Sequence, residues 1–285
     1  MTPLAEIQPA DSIAITLSFP RGLGEAVSRL PAWVSFGVDS FREVFLRPLL
    51  GLSLLLTAGV STSTSAEEIV TNAVVIRNPP AWLTERRVEK AVDRAQAFLE
   101  WDIRKVQVTW YFDESEFFDA HKLGNSVVAF ANKQNNTIHI GPRVNQKNFD
   151  SVFAHELTHI VLGQKYKSSI PKWLEEGLAN AVGKYGSVDY SWLQSQTLRP
   201  VRGMEHPFKG LTAGDPTTSD RARYHYVASS ALIELIASKC KLNDLLQLSV
   251  EKGLENYLPT FCRIKDLDAE FKAWVSRKAG KARAE

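Results

Sequence analysis

The chain of 285 residues has few of the residues that would leave its chemistry ambiguous. With two cysteines it can build neither a disulfide framework nor a four-thiolate metal site, only a single bridge. Two methionines exclude a methionine-rich, adaptable binding surface. The formal net charge is only +2, and the one basic cluster, Arg277-Lys278-Ala279-Gly280-Lys281-Ala282-Arg283, has no interleaved aromatics. It reads as a frayed helix end, and no nucleic-acid partner is expected. The apolar stretch Pro48–Val60 falls short of the ~20 residues that cross a bilayer as a helix. No internal repeat is present. Histidine is scarce as well, with six in the chain, yet two of them share one five-residue window.

That window is His155-Glu156-Leu157-Thr158-His159. On a helix the two imidazoles project from one face about one turn apart and can grip one metal ion. Glu156 then stands beside the metal rather than on it, where a general base belongs. The flanking Phe149, Val152, Phe153, Ile160, Val161 and Leu162 predict a helix with a buried face, and Gly163 predicts its stop. A second segment, Pro171-Lys172-Trp173-Leu174-Glu175-Glu176-Gly177-Leu178-Ala179, predicts another helix, with Pro171 in its first turn and a stripe of Trp173, Leu174, Leu178, Ala181 and Val182. Adjacent helical residues diverge by about 100°, so one of Glu175 and Glu176 can face the metal; spacing alone does not choose.

An H-E-x-x-H helix followed by W-L-x-E-G-L-A resembles the gluzincin zinc peptidases, specifically peptidase MA-like domains, and more distantly thermolysin and the zinc aminopeptidases. The resemblance implies that His155, His159 and Glu176 bind one Zn2+ ion, with Glu175 a solvated or supporting neighbour. Thermolysin-like enzymes carry a carboxylate one turn beyond the zinc-binding glutamate. Asn180 stands there, either as an uncharged acceptor for an imidazole or as an exposed polar residue, and an aspartate in its place is expected to strengthen zinc binding. The family also opens a later helix with Tyr and Ser three positions on. Tyr226 and Ser229 fit best, so Tyr226 is expected to stabilise the oxyanion; Tyr224 and His225 are rivals. The segments Val127–Phe130 and Thr137–Ile140 predict a hairpin, resembling the edge strand with which gluzincins pair an extended substrate. His139, between two isoleucines, reads as an outward polar residue rather than an additional ligand.

Arg42 and Arg47, the apolar stretch after them and Ser61-Thr62-Ser63-Thr64-Ser65-Ala66 form the pattern of a secretory signal peptide cleaved after Ala66. The residues before it make a long leader, so translation starting nearer Val38 is one reading and a retained signal anchor with membrane attachment is another. The expected organisation is a leader over 1–66 and a peptidase domain over 67–285, with an α/β lobe at 67–145 and a mainly helical lobe at 146–285. Residues 81–99, opened by Pro79-Pro80 and Thr84, predict a helix and Val106–Phe112 a strand. Residues 199–220, rich in Pro, Gly, Thr and Asp, predict a loop that walls or lids the site, and helices are predicted over 222–239, 242–252 and 266–278. Export would let Cys240 and Cys262 pair; otherwise they are buried thiols.

The fold class expected is α+β, a thermolysin-like two-lobe domain with a small mixed sheet and a helical C-terminal lobe. The function expected is zinc-dependent hydrolysis of a peptide or protein substrate outside the cytoplasm, periplasmic or secreted. The chain has no G-x-M-x-N segment of the kind zinc aminopeptidases use at the substrate amine, which favours endopeptidase action. A zinc-stabilised interaction module and a zinc hydrolase of a non-peptide substrate are the alternatives; the sequence is silent on oligomeric state.

Overall fold

Strict alternation along Val106-Gln107-Val108-Thr109-Trp110 buries every second residue, which is what a strand with one face on a core requires. The computed structural model describes residues 12–16, 68–122, 127–167, 170–204, 217–249 and 253–282. Six strands form one mixed sheet: β1 (Ser12–Thr16), β2 (Glu68–Val70), β3 (Val74–Arg77), β4 (Val106–Trp110), β5 (Val127–Asn132) and β6 (Thr137–Ile140), in the order β1-β5-β6-β4-β3-β2. β3, β4 and β6 run parallel to their neighbours in that series, while β5 pairs antiparallel with both β6 and β1. Strand β1 falls within the expected leader, whose remaining residues, including the apolar stretch, lie outside the described ones. Among the described residues no helix is long and apolar enough to cross a membrane.

The hairpin forms where alternation predicted it, and the parallel crossover from β3 to β4 is made by α1 (Glu85–Leu99). Val88, Ala91, Val92, Ala95 and Leu99 of that helix are buried in the core. A short helix, α2 (Glu114–His121), is capped by Asp113, whose carboxylate accepts from the Ser115 and Glu116 amides. The metal-motif helix α3 (Phe149–Tyr166) is buried along nearly all of its length, and α4 (Lys172–Gly183) packs across it.

Three details correct the expectations. Gly163 does not stop α3, which runs on to Tyr166. A Cβ there would come within 2.8 Å of Lys133 Cβ, so the glycine is a notch through which the Lys133 stem crosses the helix. Ala181, assigned to the apolar stripe of α4, is exposed. Pro171 caps α4 rather than entering it.

The remaining helices are α5 (Tyr190–Ser195), α6 (Thr217–Ala237), α7 (Leu242–Leu248), α8 (Leu258–Phe261) and α9 (Leu267–Ala282), with 3-10 turns at Val201–Gly203 and Leu254–Asn256. The expected 199–220 loop thus holds one 3-10 turn and the start of α6; residues 205–216 lie outside the described ones. α6 presses so closely on α4 that a Cβ on Gly177 would meet Ser229 O at 2.5 Å and Ile233 Cγ1 at 2.4 Å. One apolar core runs from Ala73 through the sheet and α3 to Ala279. Cys240 and Cys262 are bridged, with Cα atoms 4.9 Å apart. The architecture is α+β, with a small mixed sheet and a helical C-terminal half.

Candidate metal centre

Helical spacing brings His155 and His159 side by side on α3, their ring centroids 4.7 Å apart. Glu176, arriving from α4, places Oε2 at 3.5 Å from His155 Nε2 and 3.7 Å from His159 Nε2. One ligand atom from each of the three lies within 4.8 Å of the others, close enough to hold one metal ion. All three residues are fully buried, as is Glu156.

Two buried imidazoles and two buried carboxylates are costly without compensation. His155 Nε2, His159 Nε2 and both oxygens of Glu176 have no hydrogen-bond partner among the described residues, and neither do the oxygens of Glu156. Such a cluster of unsatisfied donor atoms in a core otherwise well packed fits a divalent cation. The pKa shifts report the same tension. Burial drives His155 down to about 3, with the Glu175 charge and the Asn180 side chain pulling the other way. Burial lifts Glu176 to about 7, with His159 opposing and Glu175 adding. Burial, then the Glu176 charge, holds Glu156 well above the usual carboxylate range, although the nearby Ala131 amide works against it. Both imidazoles are therefore neutral, the form that binds a metal.

Glu175 and Glu176 take different parts. His159 Nδ1 sits 3.1 Å from Glu175 Oε1. With Nε2 turned to the metal position, Nδ1 carries the proton and donates it to that carboxylate, which fixes the ring and its tautomer. Lys133 Nζ donates to both Glu175 oxygens at 3.0 and 3.2 Å, and Lys172 Nζ stands 3.3 Å from Oε2. Burial pushes Glu175 up, but the hydrogen bond from His159, then the charges around it, hold it below the usual carboxylate range. We take it as ionised through the two lysines, since His159 itself is driven towards neutrality by burial. Glu175 is thus buried and orients His159, rather than being solvated.

Asn180 is also buried. Its Nδ2 donates to Ser230 Oγ at 2.9 Å and to Tyr226 O at 3.3 Å. The side chain lies against His155 without a hydrogen bond of good geometry. Tyr226 is buried on α6, its ring centroid 6.5 Å from that of His155, and it feels the charges of Glu176 and Glu156 after the effect of burial. Its rival Tyr224 is committed elsewhere, accepting from the Arg199 amide at 2.7 Å. His225 packs edge-on to Tyr226, 6.1 Å between centroids. His139 is outside the metal group: it stacks on Phe130 at 4.4 Å with its Nδ1 3.0 Å from Tyr111 Oη.

One residue at the centre had no signal in the sequence. Tyr185 follows α4 and meets His155 edge-on at 5.3 Å, with its buried hydroxyl unpartnered among the described residues. Burial, then the Glu156 charge, raises its pKa well above the ordinary phenol value. The chain matches no family model, no curated protein and no solved structure.

Proposed function

We propose that the protein is a zinc-dependent peptidase of the gluzincin type, with His155, His159 and Glu176 as ligands and a thermolysin-like arrangement around them. The observation that carries this reading is the buried His155, His159 and Glu176 group with the unpartnered Glu156 carboxylate beside it. Two imidazoles and one carboxylate form a donor set suited to zinc, with room for a further ligand in a tetrahedral shell. A bound zinc ion would supply Lewis acidity, polarising a carbonyl and bringing the pKa of a water to about 7.

The chain's own residues perform the proton transfers. Glu156 accepts a proton from the water whose oxygen attacks the scissile carbonyl carbon. It then delivers that proton to the amide nitrogen as the C–N bond breaks, releasing a carboxylate and an amine. Tyr226 is proposed to donate to the oxygen of the carbonyl as it becomes tetrahedral. The Cys240–Cys262 bridge supports action outside the cytoplasm, in the periplasm or after secretion, as the leader expected from the sequence also would.

The test is metal analysis of the full chain together with cleavage of a peptide mixture, wild type against Glu156→Gln. Zinc at one per chain in both proteins, with turnover only in wild type, is expected. Stoichiometric zinc without cleavage of any peptide would reject the peptidase reading, and full turnover in Glu156→Gln would reject the base.

A further inference from the structure

Helix α4 ends at Gly183, and Lys184 then adopts a left-handed conformation with φ of 54°. The chain doubles back there, and the Tyr185 amide donates to Asn180 O at 3.1 Å. The turn lays the Tyr185 ring across Gly183, where a Cβ would stand 3.0 Å from Tyr185 Cδ2 and Cε2 and 2.8 Å from Ser151 O. The glycine thus clears a path for an aromatic ring between α3 and the end of α4. Beyond it the ring stands at 82° to His155, centroids 5.3 Å apart, with its hydroxyl buried and within reach of the Glu156 charge. An unpartnered phenol in a core costs stability, and among the described residues the Tyr185 hydroxyl has no hydrogen-bond partner.

The geometry points to Tyr185 as a catalytic residue: its phenolic O–H hydrogen-bonds the scissile carbonyl oxygen as negative charge develops there, alongside or in place of Tyr226. The inference rests on the zinc-peptidase reading above. A phenol with an ordinary pKa of about 10 is a donor at neutral pH. In a water-excluded site, a donor held in place before the reaction favours the charged oxygen over the neutral carbonyl it starts from. Tyr185 keeps its proton throughout, so it adds no step to the exchange run by Glu156. Tyr226 approaches the same group from α6, but its ring lies further from His155 and packs with Phe130, Phe117 and Val127.

The experiment uses the zinc-loaded full chain, with Tyr185→Phe, which keeps the ring, and Tyr226→Phe alongside. For Tyr185→Phe, turnover should fall about 100-fold with KM nearly unchanged, the expected signature of a lost oxyanion donor. Equilibrium affinity for a phosphinic peptide, whose tetrahedral oxygens imitate the charged carbonyl, should weaken at least about tenfold. Zinc content and affinity for acetohydroxamate should stay as in wild type, and the thermal midpoint should hold or rise, since the unpartnered hydroxyl is gone. Unchanged turnover and phosphinate affinity in Tyr185→Phe would overturn the assignment, and so would a loss found only in Tyr226→Phe. Equal weakening of phosphinate and hydroxamate binding would also overturn it, reducing Tyr185 to packing against His155. A wild type that holds zinc yet cleaves no peptide and ignores the phosphinate would overturn the peptidase reading and the Tyr185 assignment together.

Discussion

The middle and the far end of helix α6 are built on opposite principles. Its middle lies beside the candidate metal centre, where Tyr226 and Ser229 are buried and Ser229 Oγ has no partner among the described residues. Its far end is saturated: Tyr190 Oη donates to Glu234 at 2.7 Å and accepts from Trp274 Nε1 at 2.8 Å, and Lys278 stands 3.6 Å from Glu234. Just beyond, Cys240 is tied to Cys262. One region leaves buried polar groups unpartnered among the described residues, while the other holds polar groups already satisfied. The first sacrifices stability in the metal-free protein and the second restores it.

Glu176→Ala breaks the comparison at its strongest point. It should abolish stoichiometric zinc binding, whereas Glu175→Ala should lower affinity about tenfold, the usual worth of a residue that orients a ligand. Competitive zinc titration of both variants decides, and equal losses would show that the two glutamates share the metal. In metal-free protein Glu176→Ala should also raise the thermal midpoint, since it removes a buried, uncompensated carboxylate.

Opening the bridge tests the other end. Cys240→Ser with Cys262→Ser releases a loop with a sequence separation of 22, for which chain entropy gives about 3 kcal/mol. Denaturant unfolding should show that loss, while zinc affinity stays within about twofold. A variant that keeps its stability but loses metal would join regions here described as independent.

How far the sequence announced this depends on how local each determinant is. His155 and His159 lie four residues apart, so periodicity alone brings them to one face, with Glu156 beside them. The hairpin and α1 were legible for the same reason. The choice between Glu175 and Glu176 was not, because it turns on Lys133, remote in sequence and brought to Glu175 only by the notch at Gly163. The same notch is why a glycine that reads as a helix stop sits inside a helix. Tyr185 was hidden for another reason. A left-handed lysine rather than a glycine makes the turn that sends it back, and no residue pattern marks that turn.

A pH series sharpens the contrast. The folded pKa of Glu176, about 7, lies above its unfolded value near 4.5. In metal-free protein its contribution to stability is therefore fully present below about pH 4.5 and fades as pH rises through about 7. Metal binding needs the ionised form, so zinc affinity should climb up to about tenfold per pH unit below 7 and level off above it. The shift in thermal midpoint on adding zinc should grow across that window. A shift independent of pH between about 5 and 8 would show that Glu176 is ionised throughout.

The smallest effect expected is that of Asn180→Asp, and here the geometry sets a cost against the tightening that sequence alone suggests. A carboxylate one turn beyond Glu176 should raise the basicity of a ligand imidazole and so tighten zinc binding. Asn180, however, spends its amide hydrogens on Tyr226 O and Ser230 Oγ. Aspartate has none to give. It would face the Tyr226 carbonyl with a lone pair and bring one more carboxylate to Glu156 and Glu176. Ser230 Oγ already donates to Tyr226 O at 3.0 Å, so it cannot readily turn to serve the new group. Leaving that geometry unsatisfied costs about 1–3 kcal/mol. Any gain at His155 is set against this loss, and zinc affinity should change by less than about threefold, while the metal-free protein melts lower. Calorimetry and competitive titration on the same preparation separate the two effects. A clear tightening of zinc with no loss of stability would mean that Asn180 serves His155 rather than α6.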